Sequence, residues 1–553
     1  MASPLKITFL GGLGEIGRNC AAFEYEDQIL LLDCGLMFPD HDMLGVDIVL
    51  PDFSWVHERA DKIVGCVLTH GHEDHVGALS YLLPDVSFPL YGTEVTLGLA
   101  YPRIEENGLL GRTEFNEVRD GETHQIGPFS CQFFAMTHSV PQAVATAITT
   151  GQGTVLHSGD FKIDLTPVDG RLSDLSGIGA IATDPGIRLL LADSTNAGSA
   201  GYSVSETEVG KVLYDLMHRY RGRRIVTACF ASHIHRVQQI ADAAIEYDRK
   251  VATLGRSMKR NVAMGREMGV LHIPDDALID IEEIDKYDPG EVIVISTGSQ
   301  GEAMSALTLM ATRESRWLNV GEEDVVILSS HPIPGNEHAV NKVIDKLTRQ
   351  GVEVVHSGIE DVHATGHAKR EELKLLQSLT HADWFVPVHG EYTHMVHHAK
   401  IAEQMGTPAD RILVCEDGDT LVLDDDGLTR GDRVSAEYIY VDGKTVGEIG
   451  TSVLRDRQGL GEEGVVTIVM MVDLDRREIV SGPELITRGW VQEVESADLL
   501  AEGAKRAAKA VNDSLSGGGN ADQVGKAARK AVGSFVNQRT RRRPMIVPVV
   551  LEA

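Results

Sequence analysis

The chain has 553 residues, of which 42% are hydrophobic and 24% charged, with a formal net charge of −31 at pH 7. That length accommodates roughly three or four domains, and the absence of any run of about 18 apolar residues excludes a membrane-spanning helix. The acidic balance argues against a generally phosphate-seeking surface, although net charge says nothing about one particular groove.

Met1-Ala2-Ser3-Pro4-Leu5-Lys6 leads straight into a strand, Lys6–Leu10, without the charged and apolar regions of a signal peptide. Gly12-Leu13-Gly14-Glu15-Ile16-Gly17 matches GxGxxG, but Cys20–Tyr25 reads as another strand. No helix N-terminus is then available for a pyrophosphate, so a tight loop is expected and not a dinucleotide site. The strand Gln28–Leu32 ends at Asp33. The run Ile63–Thr69 reads as a buried strand and delivers His70-Gly71-His72-Glu73-Asp74-His75 at its C-terminal end, where α/β sheets place active sites. Imidazole suits zinc, and carboxylate adds a charged, harder ligand. Further strands are read at Phe129–Phe134 and Ala143–Thr149. His138 follows Cys131–Met136, Asp160 lies in His157-Ser158-Gly159-Asp160, and His389 follows Trp384–Val388, each at a strand's C-terminal edge.

From 205 to 355 the pattern changes. The helices Glu206–Tyr220, Val237–Tyr247 and Glu337–Gln350 alternate with the strands Arg224–Ala228, Val251–Leu254, Val292–Ser296 and Val325–Leu328, which predicts βαβ units and a parallel sheet. The turn Thr297–Glu302 follows one of these strands, and its amides could hold a phosphate. Residues 356–440 read as His-rich loops and strand-like runs. Beyond a Gly- and charge-rich junction come strands at Val465–Val472 and Arg477–Thr487, helices at Ala497–Ser514 and Ala521–Asn537, and a strand at Met545–Leu551. The expected division is 1–204, 205–355 as an insert, 356–445 as the return of the first domain, a linker at 446–463, and a C-terminal α/β domain at 464–553. The six cysteines are scattered, form no CxxC, and read as reduced core residues of a cytoplasmic protein. Local basic clusters occur at Arg221/Arg223/Arg224, Lys259/Arg260 and Arg539/Arg541/Arg542/Arg543.

The HxHxDH motif with His138, Asp160 and Asp33 resembles the metallo-β-lactamase fold, an α/β sandwich with αββα layers and a two-metal site at one edge. Asp193, His367 in His363-Ala364-Thr365-Gly366-His367, and His389 in Pro387–Glu391 resemble the three motifs of the β-CASP branch. Together with Phe230-Ala231-Ser232, Ile234-His235-Arg236, Thr297–Glu302, Pro332–Glu337 and Pro387–Thr393, they make the whole chain similar to the bacterial ribonuclease J family.

The resemblance implies two Zn²⁺ ions, the first on His70, His72 and His138, the second on Asp74, His75 and His389, with Asp160 bridging. Manganese accepts the same ligand types. Asp33 would be an orienting acceptor behind a ligand. Two such metals would share a hydroxide for in-line attack on the phosphodiester, leaving 5′-phosphate products. His367 would protonate the leaving oxygen or stabilise developing charge, so Asp74, His367 and Asp33 form the expected catalytic group. Phosphate contacts would come from Ser232, His233, His235, Arg236, Ser299, Gly301 and His363, Ala364, Thr365, Gly366 and His367. The implied activity is 5′→3′ exonuclease and endonuclease action on single-stranded, 5′-monophosphorylated RNA in mRNA turnover and rRNA maturation. A homodimer or homotetramer through the C-terminal domain and an RNA-degradation complex are implied as well.

Three positions depart from the family's usual wording: His233 in place of Asn, Thr365 in place of Ser, and His331 in place of Ser. The histidines could alter the pH dependence of RNA binding. Asp47 and Asp442, with Asp40 and Asp42 nearby in sequence, would suit a structural Ca²⁺, solvated turn aspartates being the plainer reading. A DNA-processing relative is the main alternative, and His389 argues against it. The 205–355 insert, a second wall suited to a polymer, argues against a small-thioester or lactam hydrolase. The complete ligand set argues against an idle RNA-binding scaffold.

Overall fold

A computed structural model describes residues 3–333, 335–492 and 496–553. Pro334, inside the Pro332–Glu337 motif, lies outside the described residues. The chain forms two units, one of residues 1–38 and 48–439, the other of residues 39–47 and 440–553.

In the first unit two sheets face each other. One runs in the order Gly427–Arg430, Thr420–Asp424, Leu5–Gly11, Cys20–Tyr25, Gln28–Leu32, Ile63–Val67, Leu90–Gly92, Phe115–Glu117. The other runs Trp384–Val388, Ile187–Asp193, Gly153–His157, Val144–Thr150, Phe129–Ala135, Thr123–Ile126. Side chains alternate across each sheet because successive residues of a strand point to opposite faces. Leu5, Ile7, Phe23, Leu30 and Val67 of the first sheet therefore meet Phe129, Phe133, Val155, Leu191 and Val386 of the second in one buried cluster. The intervening Phe134, Leu156, Leu190 and Phe385 face outward onto Ile178, Leu373, Leu376 and Ile401 of flanking helices. The expected αββα sandwich is the result.

A third sheet of parallel strands runs Leu278–Ile279, Lys250–Leu254, Val292–Ser296, Arg224–Ala228, Asp324–Leu328, Glu353–His356. Its central strands are buried at nearly every residue, as helix cover on both faces requires. Ile225, Val251, Ile293 and Val325 pack on Leu213, Leu216, Val237 and Ile240. Val226, Ala252, Val294 and Val326 pack on Leu307, Met310, Val340 and Val343. The element opens at the helix Glu206–Arg219, where the Ser205 hydroxyl accepts from the Thr207 amide at 3.2 Å, an N-cap of the favoured type.

In the second unit the strands Glu478–Arg488, Val465–Asp473 and Met545–Glu552 form a sheet. The helices Ala497–Ser516 and Ala521–Thr540 cover one face, with Val466, Ile468, Met470 and Val472 against Ala507, Val511, Val524, Ala528 and Val532. Among the described residues no helix is long and apolar enough to cross a membrane.

Two stretches differ from the sequence reading. Residues 356–440 contain the helices Arg370–Thr380 and Tyr392–Gln404, whose buried stripes are narrow and flanked by His and Thr. The expected linker holds the helix Thr451–Glu463, in which Leu454 is the one buried residue. Without an apolar stripe that helix leaves no periodic signal.

Candidate metal centre

The site forms where strands of the two facing sheets end at a common edge. Ile63–Val67 delivers His70 and His72, and the short helix Glu73–Val76 carries Asp74 and His75. His138 follows Phe129–Ala135, Asp160 follows Gly153–His157, Asp193 closes Ile187–Asp193, and His389 follows Trp384–Val388. Asp33 and His389 hold left-handed backbones, with φ of 59° and 52°. Such strained conformations persist where surrounding structure over-determines them. Close approach is also built in. A Cβ on Gly35 would lie 1.6 Å from the Asp74 carbonyl oxygen, and one on Gly366 would lie 2.7 Å from the His138 ring.

His70 Nε2 and His138 Nε2 stand 3.1 and 3.2 Å from His72 Nδ1. Burial is the main force holding His70 and His138 well below the ordinary imidazole range, and His72 is lowered to about 4. His138 donates from Nδ1 to the Gly366 carbonyl at 2.7 Å, which leaves its Nε2 as a lone pair. Three neutral nitrogens converging in a buried space suit a cation, since their own protons cannot satisfy all of them.

A second set lies beside it. Asp160 Oδ2 is 3.3 Å from His75 Nε2 and 3.5 Å from His389 Nε2, and Asp74 Oδ2 is 3.6 and 3.3 Å from the same two nitrogens. The same Asp160 oxygen is 3.6 Å from His70 Nε2 and 4.0 Å from His138 Nε2, so one carboxylate oxygen serves both sets. In each set the candidate ligand atoms all lie within 4.8 Å of one another. Burial opposes charge on His75, but Asp160, Asp33 and Asp74 outweigh it and push it up to about 10. The His/Asp cluster could therefore bind metal ions, and its donors fit the implied pair.

The far ring nitrogens of His75, His70 and His389 are also engaged. Asp33 Oδ2 accepts from His75 Nδ1 at 2.8 Å, and its two oxygens accept from the Thr69 amide and hydroxyl, both at 2.8 Å. The Thr69 hydroxyl also meets His70 Nδ1 at 3.1 Å. Thr195 Oγ1 lies 2.7 Å from His389 Nδ1 and donates to Asp193 Oδ1 at 2.8 Å. Sequence reasoning missed Thr69, Thr195 and Asn19, whose side-chain amide lies 3.1 Å from His75 Nε2. The only signal available was the adjacency of Thr69 to His70 and of Thr195 to Asp193. Asp33→Asn should lower metal affinity and activity about 10- to 100-fold, as expected for an orienting partner of a ligand. Metal titration checks this, and unchanged affinity would leave Asp33 as a strand-end acceptor only.

His367, partly exposed, donates from Nδ1 to Asp193 Oδ2 at 2.8 Å. Burial works against its proton, yet Asp193 and Asp160 prevail and its pKa is raised. Thr365 Oγ1 accepts from Asn196 at 2.8 Å and from the His367 amide at 3.2 Å, which shapes the segment. Ala364 is buried, and His363 stacks on His331 with ring centroids 6.3 Å apart.

The remaining residues expected at phosphates are mostly engaged within the protein. Arg236 is fully buried, donating to the Ser329 carbonyl and hydroxyl, the Val362 carbonyl and Glu206. His233 is buried with Nε2 3.4 Å from Glu206, and His235 Nε2 sits 3.2 Å from Asp169. Ser232, partly exposed, precedes them. In the turn after Val292–Ser296, Ser299 is buried, the Gly301 amide is spent on the Gly298 carbonyl, and the Gln300 amide on the Glu302 carboxylate. The Arg236 guanidinium, the His235 ring and the Gln300 and Gly301 amides are thus engaged within the protein. The aspartates of the calcium reading have partners of their own. Asp442 accepts from Arg457 at 2.5 Å and Asp47 from the Gly443 amide at 2.7 Å. For Asp442 a guanidinium already supplies the positive partner.

Fold and site define a metal-dependent hydrolase of the metallo-β-lactamase type carrying a β-CASP insert. Residues 13–196 match the metallo-beta-lactamase superfamily, 222–347 the ribonuclease J beta-CASP domain, 351–412 a Zn-dependent metallo-hydrolase RNA specificity domain, and 452–553 the ribonuclease J C-terminal domain. The chain is 39% identical to ribonuclease J 1 of Streptococcus pyogenes over 543 residues, covering 98% of this chain and 96% of that one. It is 40% identical to ribonuclease J of Mycobacterium tuberculosis over 553 residues, covering 99% and 97%. With ribonuclease J2 of Bacillus subtilis it shares 36% over 549 residues, covering 99% and 98%. A solved Enterococcus faecalis protein of unknown function shares the fold, with a TM-score of 0.55 at 16% identity over 76% of this chain and all of the other. The chain belongs to the ribonuclease J family.

Proposed function

We propose that this protein hydrolyses phosphodiester bonds of single-stranded RNA, both from a 5′-monophosphorylated end and internally, in mRNA turnover and rRNA maturation. The observation that carries this reading is the shared Asp160 oxygen between two converging ligand sets. Family membership over the full chain supports RNA as substrate. His70, His72 and His138 would hold one Zn²⁺, Asp74, His75 and His389 the other, with Asp160 between them. Two such cations supply Lewis acidity toward phosphate oxygens and a nucleophile at neutral pH.

The protein's own residues perform the rest. His367 carries a proton on Nε2 while Nδ1 is committed to Asp193. It delivers that proton to the departing 3′ oxygen, so the downstream product keeps a 5′-phosphate. Asp33 and Thr195 hold the rings of His75 and His389 in place. The six cysteines are free and buried, consistent with a reducing cytoplasm.

The test compares 5′-monophosphate, 5′-triphosphate and 5′-hydroxyl RNA and single-stranded DNA of one sequence, with products identified by mass. Fastest loss of the 5′-monophosphate RNA, with 5′-phosphate products, is expected; preference for DNA would overturn the reading. Self-association through residues 464–553 is the second part, supported by Val547, Val549 and Leu551 standing exposed on the last strand. A chain ending at Gly450 should elute as a monomer on gel filtration where the full chain elutes as a dimer or tetramer.

A further inference from the structure

We propose that the C-terminal unit carries a second RNA contact, a cleft that grips the phosphodiester backbone without reading sequence. The inference rests on RNA being the substrate. The cleft, about 540 Å³, lies between the helices Thr451–Glu463 and Ala521–Thr540 and the start of the strand Met545–Glu552. Arg455, Lys526, Arg529, Lys530 and Arg543 line it, all exposed, with Asp456 as the single carboxylate of the wall. Lys526 pairs with Asp522 at 2.6 Å. The other four cationic side chains have no ion-pair partner among the described residues.

Residues 440–553 hold sixteen Lys and Arg against sixteen Asp and Glu, so the chain's charge of −31 lies wholly in residues 1–439. Within this neutral segment five cations are gathered on one cleft. Lys526, Arg529 and Lys530 stand three and four residues apart on one helix, a spacing at which like charges repel. A polyanion relieves that repulsion, and helix formation alone gives no reason for the arrangement. The chemistry also selects the ligand. No aromatic ring lines the cleft to stack a base, so recognition falls on phosphates. Such contacts are independent of sequence and would hold the body of a long RNA.

The experiment uses the full-length, metal-loaded protein and the triple variant Lys526→Ala/Arg529→Ala/Lys530→Ala. These are exposed helix positions where Ala preserves helicity, and matched melting curves establish that both proteins are folded. Affinity for a long single-stranded RNA is measured across salt concentrations, together with kcat/KM on an oligonucleotide too short to leave the active site. The expected result is about a tenfold loss of long-RNA affinity and a salt slope shallower by about two, with short-oligonucleotide turnover unchanged. Unchanged affinity and slope would overturn the proposal. So would a loss that coincides with dissociation in sedimentation velocity, since the cleft would then hold an acidic face of a second copy. A wild type that binds long RNA through these residues yet cleaves no RNA would sink the nuclease reading and leave the cleft standing.

Discussion

Asp160→Asn should abolish RNA cleavage, with kcat/KM falling about 10³-fold or more, because one oxygen of this side chain faces four imidazole nitrogens of the two ligand sets, and that of His367, at 3.3 to 4.0 Å. Asparagine keeps the shape but removes the anion and turns one acceptor oxygen into a donor. Loss of a single electrostatic group at a reacting centre already costs about 10²–10³ in kcat, and here both ligand sets lose their shared member. Metal analysis should show fewer than two ions per chain. The strands that position Asp160 are buried through Val155, Leu156, Leu190 and Leu191, not through the carboxylate, so circular dichroism should be unchanged. Because the β-CASP wall is untouched, the loss should fall mainly on kcat, with KM for RNA little changed. A variant that binds two ions and cleaves normally would remove Asp160 from the bridging position.

How much of this was legible beforehand divides along physical lines. Strand ends are readable because apolar runs such as Ile187–Asp193 stop abruptly at a ligand-type residue, and a site assembled from strand ends inherits that clarity. The sandwich and the parallel insert followed from periodicity for the same reason. Thr69 and Thr195 were not legible, because a hydroxyl supporting a ligand carries no spacing rule. The helix Thr451–Glu463 buries only Leu454, so no period betrays it. Asp442 could not be seen to face Arg457, because that pairing depends on how the turn folds back. Gly35 illustrates the intermediate case. Its place after Asp33-Cys34 looks like an ordinary turn, and only the close approach of the Asp74 carbonyl explains why no side chain fits.

Arg236 marks the sharpest difference between sequence and structure, and its replacement separates the two readings. A sequence places an Arg in a Ser-His-Ile-His-Arg stretch beside a phosphate; the structure places it at 0% exposure with Glu206 at 2.6 Å and the Ser329 and Val362 carbonyls at 3.1 and 2.8 Å. Arg236→Met should therefore destabilise the protein by about 3 kcal/mol, because Glu206 keeps a buried charge after losing its bidentate-capable partner. Adding Glu206→Gln should recover part of that loss, since breaking one member of a buried pair costs more than removing both. Val362 leads directly into His363–His367, so any activity change measured below the melting transition should appear in kcat, through looser placement of His367. A phosphate contact would behave in the opposite way, raising KM for RNA and making its salt dependence shallower while the denaturation midpoint stayed where it was. Urea denaturation and steady-state kinetics on the single and double variants distinguish the two, and an unshifted midpoint for Arg236→Met would return this residue to the substrate.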